Sequence, residues 1–384
     1  MHIAFLTPEY PHKKTGKAAG IGSYIKNLAT SLSFNQIKVS VFVYGQDKNE
    51  EFLDGTINIY KIQQQKHSFL SWYFNRKNIQ KRVNKIIVAK NIAIIEAPDW
   101  TGITAFIKFK CPLIIRLHGS DTYFCHLENR KQKQKNFWFE KLALKRADYI
   151  VSVSEFTSHL TKKLFGIKKE IEVIHNGIDT TSFSSSKNNE IPNTILYFGA
   201  VIRKKGVLEL ASILNKVVEA SPTVKPIILG KDVIDSFEKV STKQLILRRL
   251  SDKAKMNIVF KEEIPYKDVK HEIEKASVVV LPSFAEAFPM TWLEAMAMEK
   301  ALVTSNIGWA NELMIHNKTG FICNPTKHDE FAGYIVDLLN NEEKRNEFGK
   351  NARKRIEDHF SQEILVEKNI KYFKNIVNAS IKGV

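Results

Sequence analysis

Residues 277–300 read SVVVLPSFAEAFPMTWLEAMAMEK. The run 277–281 is short, branched and almost uninterrupted, the signature of a strand buried on both faces of a parallel sheet. Pro282 and Ser283 end it, and Pro289 suits the first turn of the helix that follows. A strand, a loop and a helix in such quick succession form the repeating unit of a doubly wound α/β sheet. Two carboxylates stand in this unit. Glu286 falls in the loop, and Glu294 falls inside the helix among Leu293, Ala295 and Met296. A carboxylate in an apolar helix costs energy unless it meets a donor, and vicinal ligand hydroxyls can supply two O–H bonds at once. The alternative is a helix N-terminal acid beside a salt-bridged one.

The same rhythm runs through the chain. HIAFLT (2–7), VSVFVY (39–44), IAIIEA (92–97), PLIIRLHG (112–119) and YIVSVS (149–154) read as buried strands, with helical patterns at 22–33, 76–90 and 137–146 between them. TILYFGA (194–200), KPIILG (225–230), NIVFKE (257–262) and ALVTSN (301–306) repeat it in the second half. The pattern predicts two doubly wound domains. Residues 182–193, SFSSSKNNEIPN, have linker chemistry. The expected boundaries are therefore 1–185 and 186–360, with 361–384 a final helix that either packs on its own domain or returns to the first. Ligands of open α/β sheets sit beyond the carboxyl ends of the strands, so the expected site is a central cleft fed by those loops.

Composition narrows the classes. The three cysteines, Cys111, Cys125 and Cys323, form no CxxC pair, which speaks for a reducing compartment and against a structural zinc site. The first residues lack the pattern of a signal peptide, and no apolar run is long enough to span a bilayer. A cytoplasmic address is expected. The net charge of +17 is concentrated in residues 1–185, where 28 Lys and Arg face 15 Asp and Glu; residues 186–384 hold 30 and 26. A basic half suits an anionic surface or an anionic ligand. No RNA- or DNA-binding motif accompanies it, so nucleic acid is not an expected partner.

Three further segments stand out. The loop PEYPHKKTGKAAGIGSY (8–24) ends in Gly20 and Gly22 at the start of an apolar-periodic helix, where backbone N–H groups can approach an anion or merely make a tight turn. It is not a full GxGxxG. YFGAVIRKKGVLEL (197–210) places Arg203, Lys204 and Lys205 after a strand and before Gly206, where a diphosphate would lie. KHSFLSWYFNRKNIQKRVNKIIVAK (66–90) sets Phe69, Trp72, Tyr73 and Phe74 beside many bases, the composition of an interfacial segment on an anionic membrane. The plainer reading has Ile79, Val83, Ile86 and Ile87 facing the core and the bases solvated.

The spacing of Glu286 and Glu294, preceded by LPS and followed by EAMA, resembles that of the GT4 family of retaining GT-B glycosyltransferases. RLHG (116–119), ADYIVSVSEFT (147–157), VIHNGID (173–179), YFG…KKG (197–206) and NELMIHNKTGFIC (311–323) are similar to further family segments. The resemblance runs over nearly the whole chain. It implies a GT-B fold and transfer of a sugar from a UDP- or GDP-linked donor to a glycan or lipid-linked acceptor, in polysaccharide or glycoconjugate assembly. It implies no cofactor and no metal. By the same resemblance, Gly20 and Gly22 bring backbone to the donor diphosphate, Lys205 neutralises it, and His118 lies on the acceptor side of the sugar. Glu286 and the backbone of Phe288, Pro289 and Met290 hold the sugar and phosphate, and Glu294 holds the ribose. The sequence departs from the family at Ala19, Pro289, Glu299 and Ala301. Ala200 replaces the family's basic residue, so Arg203 has to serve instead. Two rival readings keep the fold: a nucleotide-sugar epimerase, and a binding protein without catalysis.

Overall fold

Eight strands form the first sheet: β1 (His2–Thr7), β2 (Lys38–Gln46), β3 (Glu50–Asp54), β4 (Ile57–Gln63), β5 (Ile94–Pro98), β6 (Leu113–Leu117), β7 (Tyr149–Ser152) and β8 (Glu172–Val173). Their order is β3-β4-β2-β1-β5-β6-β7-β8. All neighbours are parallel except β3, which runs antiparallel to β4 at the edge. The computed structural model describes residues 1–16, 18–66, 68–185 and 189–382. Of the segments singled out above, Lys17 in the first loop, His67 in the aromatic–basic stretch, residues 186–188 of the expected linker and the last two residues lie outside it.

Parallel strands with both faces covered must be apolar at successive positions. Ile3 and Phe5 point into one core and Ala4 and Leu6 into the other, and both cores are fully buried. Five helices connect the strands: α1 (Gly20–Phe34), α2 (Ser71–Lys90), α3 (Asp121–Leu127), α4 (Gln134–Arg146) and α5 (Glu155–Phe165). The last helix of the chain, Gln362–Lys382, belongs to this unit as well. Its Phe373 and Ile376 enter the core behind α1, and its Asn369 accepts a hydrogen bond of 2.7 Å from buried Arg116. The same guanidinium is held by two hydrogen bonds to Glu96, at 2.7 and 2.9 Å. A buried ion pair this well bonded fixes geometry more than it adds stability.

The second unit spans Gly177–Ser361. Its strands are β9 (Thr194–Phe198), β10 (Lys225–Leu229), β11 (Val259–Lys261), β12 (Val278–Leu281), β13 (Ala301–Ser305) and β14 (Gly320–Cys323), all parallel, in the order β11-β10-β9-β12-β13-β14. Its helices are α6 (Val207–Ala220), α7 (Thr242–Arg249), α8 (Asp252–Asn257), α9 (Tyr266–Lys275), α10 (Met290–Ala297), α11 (Ala310–Leu313), α12 (His328–Asn340) and α13 (Glu342–His359). The units divide at Asn176, not at residue 185. The polar run that follows disguises two anchors. Ile178 and Phe183 are buried, and Arg353 donates to the carbonyls of Phe183 and Thr180 at 2.6 and 3.1 Å.

Candidate functional site

In each sheet the strand order reverses once, and a reversal leaves a crevice at the carboxyl ends of the two central strands. In the second unit the reversal lies between β9 and β12. The loop after β9 carries Arg203, Lys204 and Lys205; the loop after β12 carries Glu286. They are pressed together. The Lys204 carbonyl accepts N–H bonds from Phe284 (2.8 Å) and Ala285 (3.3 Å). Gly206 has φ +72°, and a Cβ there would stand 1.9 Å from the Pro282 carbonyl oxygen. Only glycine permits this crossing, and the crossing brings the Lys205 ammonium onto the Glu286 carboxylate, to which it donates a short hydrogen bond.

Glu294 lies in α10, 4% exposed. Burial pushes its carboxyl up to about 7, against the opposing effects of a hydrogen bond from Tyr266 and the charge of Lys205. The Tyr266 hydroxyl donates to Glu294 Oε1 at 2.9 Å. Pro289 caps α10 by its position alone, since no side chain accepts from the first turn. Phe288 is buried with its ring 5.8 Å from that of Phe360, and Met290 opens the helix. Thus Lys205, Glu286, Glu294 and the start of α10 are gathered at one switch point.

Arg203 is placed differently. Its guanidinium donates to both oxygens of Asp235 (2.8 and 3.0 Å) and to Glu238 (2.9 Å). Asp235 is buried and also accepts the N–H groups of Phe237 and Glu238. These bonds, the one from Arg203 foremost, hold its carboxyl down at about 2. Arg203 therefore fastens the 203–205 turn to the loop after β10.

In the first unit the reversal lies between β1 and β5. The loop after β1 leads to the exposed Gly20, where a side chain would meet open space. Gly22 is tightly packed: a Cβ would fall 2.6 Å from that of Ala18 and 2.9 Å from the Glu9 carbonyl oxygen. Its N–H already donates to the Glu9 carboxylate at 3.0 Å. Among these residues an anion would thus meet Gly20 first, with Gly22 shaping the loop.

His118 follows β6, half-buried, its ring edge-on to that of Tyr24 on α1 at 4.8 Å. Burial, and then the neighbouring Arg116 charge, lower its pKa to about 3. It is a neutral imidazole at physiological pH, suited to hydrogen bonding and not to charge neutralisation. Its backbone N–H, not the ring, donates to Asp99 Oδ1 at 3.0 Å. Asp99 is itself buried, pushed up to about 8 by desolvation, and its Oδ2 has no partner. Sequence reasoning passed over Asp99, although its place directly after a strand marks it. It also passed over Tyr266 and Glu9, whose partners lie far along the chain. Among the described residues, no group of three or more His, Cys, Asp or Glu side chains is placed to hold a metal ion.

Two doubly wound sheets with their polar residues at the switch points define the GT-B class of α/β protein. Residues 18–182 match the glycosyltransferase family 4 model, and residues 179–355 match the glycosyl transferases group 1 model. The chain belongs to these glycosyltransferases. It is 25% identical over 395 residues to an uncharacterized glycosyltransferase of Methanocaldococcus jannaschii, covering 97% of this chain and 98% of that one. Its fold is similar to that of sucrose-phosphate synthase from Thermosynechococcus elongatus, with a TM-score of 0.82 at 17% identity over 98% of this chain and 99% of that one. It is likewise similar to Anabaena HepE in complex with UDP-glucose, with a TM-score of 0.71 at 19% identity over the whole of both chains.

Proposed function

We propose that this glycosyltransferase takes its sugar from a nucleoside diphosphate sugar, UDP- or GDP-linked, and passes it with retention to a glycan or lipid-linked acceptor. The observation that carries the reading is the meeting of Lys205, Glu286 and buried Glu294 at the switch point of one sheet. The donor diphosphate draws the Lys205 ammonium from Glu286, and the first N–H groups of α10 face the same anion. Glu286 accepts sugar hydroxyls, and Glu294 accepts the ribose diol. As the anomeric C–O bond to phosphate breaks, the acceptor oxygen bonds to the same face and its proton passes to the departing phosphate. Stabilising the diphosphate charge is then the largest task, and Lys205 does it without a metal.

The reading is tested by thermal shift with UDP, GDP and ADP, each with and without EDTA. A nucleotide at about 100-fold excess over Kd stabilises the fold by about 2.7 kcal/mol. Stabilisation by one base, unaffected by EDTA, is expected. A flat response to all three sinks the donor site. Conversion of the donor sugar without any acceptor would instead favour the epimerase reading.

The acceptor side of the proposal rests on the first unit's surface. Phe69, Leu70 and Phe74 at the start of α2, and Trp138 on α4, are exposed by 45–82%. The two helices meet through Trp72 and Phe139, 4.7 Å apart. Lys135 lies 5.2 Å over Trp72, Lys77 lies 5.4 Å over Tyr73, and Lys141 lies 5.5 Å over Trp138. Arg76 is not part of this face; it is buried and donates to the Gly102 carbonyl at 3.1 Å. Ile79, Val83 and Ile87 face the core while Lys81, Arg82 and Lys85 face solvent, as the plainer reading of this segment expects. Exposed rings ringed by lysine fit an anionic lipid surface. Among the described residues no helix is long and apolar enough to cross a membrane. Sedimentation with phosphatidylglycerol-containing vesicles is expected to fall steeply with added salt and to weaken about tenfold in a Phe69→Ser, Leu70→Ser double variant. Binding indifferent to salt, or none, rejects it.

A further inference from the structure

Tyr266 has no part in the family pattern, yet its hydroxyl touches the buried carboxylate best suited to a ribose. We propose that Tyr266 is a latch: its phenol O–H occupies the place of a ribose hydroxyl on Glu294, and a nucleotide binds by displacing it. The inference rests on the donor-site reading of Glu294 given above.

The geometry is that of a removable group. The hydroxyl donates to Glu294 Oε1 at 2.9 Å, the same donor–acceptor pairing that a sugar hydroxyl would make. The carboxylate is buried, whereas the tyrosine as a residue is 48% exposed. Its ring also meets Phe183, with ring centroids 5.7 Å apart in a tilted contact. Tyr266 is the first residue of α9 and follows Pro265, itself exposed together with Glu262 and Glu263. A half-exposed side chain on the first turn of a helix can change rotamer without opening the core behind it.

The latch also answers a physical need. A buried carboxylate with no donor is costly, and before a nucleotide binds Glu294 would otherwise be in that state. Tyr266 supplies the missing O–H until the ligand arrives. Its hydrogen bond must then be broken before the ribose can take over, so the latch opposes nucleotide binding. Removing the hydroxyl alone should therefore tighten binding, by about five- to tenfold. A full hydrogen bond to a charged group would exceed that, but without its donor the carboxyl holds its proton more tightly, and giving that proton up to bind the ligand offsets part of the gain.

The test is calorimetric titration of the full chain and its Tyr266→Phe and Glu294→Gln variants with UDP, GDP and ADP. The base that binds is then titrated again as its 2′-deoxy diphosphate. The latch predicts that Tyr266→Phe tightens the ribo- and deoxynucleotide by the same factor, because either ligand displaces the same hydroxyl. Equal or weaker binding in Tyr266→Phe overturns the latch, since the phenol would then be idle or would itself hold the ligand. If the unaltered protein binds none of the nucleotides, or if Glu294→Gln binds as well as it does, the donor-site reading falls. Those results are separate from the response of Tyr266→Phe in a protein that does bind.

Discussion

Lys205→Ala is expected to lower kcat by about 10²- to 10³-fold, with a much smaller rise in KM. The ammonium is already neutralised by Glu286. A ground-state donor therefore exchanges one ion pair for another and gains little. The balance changes when the glycosidic bond breaks and the diphosphate takes on further negative charge, because only then does the ammonium meet more charge than it left. A group that acts in this way is felt in kcat and not in binding. Arg203→Ala is expected to behave in the opposite sense. Its guanidinium is spent on the fully buried Asp235 and on Glu238. Removing it leaves a buried carboxylate without its cation, and should cost about 2 kcal/mol of stability given the partial exposure of the arginine. Part of that loss should return below pH 3, where Asp235 in the unfolded chain is protonated and its low native pKa no longer stabilises the fold. Steady-state release of nucleoside diphosphate, with melts of both variants, separates the two residues. A kcat loss below tenfold in Lys205→Ala, or an Arg203→Ala protein that melts normally but is inactive, reverses their assignment.

That contrast shows where sequence reading stops. The β12–α10 unit is legible because its strand and its helix carry different apolar periods, and because a carboxylate in an apolar helix demands a partner. Lys205 and Glu286 are legible as loop residues after strands, the places where open sheets bind ligands. Their meeting is not, for it depends on the backbone crossing at Gly206 and Pro282, residues far apart in the chain. Arg203 looked equivalent to Lys205 because both stand in one basic run. Its partner Asp235 is 32 residues further on, and nothing local announces it. The β3–β4 hairpin escaped for a different reason. Asp54-Gly55 is a turn signal, with Gly55 at φ +61°, but Glu50 and Glu51 on an edge strand break the apolar pattern that marks the buried strands. The unit boundary was drawn late because Ile178 and Phe183 are isolated apolar residues in a polar run, and only long-range contacts with residues such as Arg353 and Tyr266 reveal that they belong to a core. Local pattern thus locates elements and loops, while pairings across the fold decide which loop residues are free to act.

Glu294→Gln is expected to weaken nucleotide binding by about 10²-fold or more and at the same time to stabilise the ligand-free fold above neutral pH. The carboxyl lies at about 7 in the native protein against an ordinary value of 4.5. Between those values the folded chain holds a proton that the unfolded chain has lost, so stability falls as pH rises through the window. Above pH 7 the native state carries the whole cost of the buried charge, about 3 kcal/mol from the size of the shift. The groups that face this carboxylate are the Tyr266 hydroxyl and the Lys205 ammonium, and Asp179 bears in turn on Tyr266. Both direct partners favour the charged form, yet burial outweighs them. Glutamine keeps an oxygen for Tyr266 and never ionises, so its profile from pH 4.5 to 7 should lack this carboxyl's fall and keep only the slopes of groups such as Asp99 and His118. At pH 8 it should be more stable by about 2 kcal/mol, after allowing for the weaker bond from Tyr266 and a buried amide N–H₂. Its ligand affinity moves the other way. A carboxylate accepts both hydroxyls of a ribose, while an amide offers one oxygen and two donors, so affinity should drop by about 10²-fold or more. For the same reason nucleotide binding by the unaltered protein should tighten as pH rises from 6 to 8, since the ligand selects the ionised form. Melts and calorimetric titrations of both proteins across that range provide the check. A wild-type profile parallel to the variant's between pH 4.5 and 7, or a variant that binds within threefold of it, would show that Glu294 is an ordinary buried acid. A more stable, ligand-blind variant would show that this chain keeps a costly charge in its core because the nucleotide needs it.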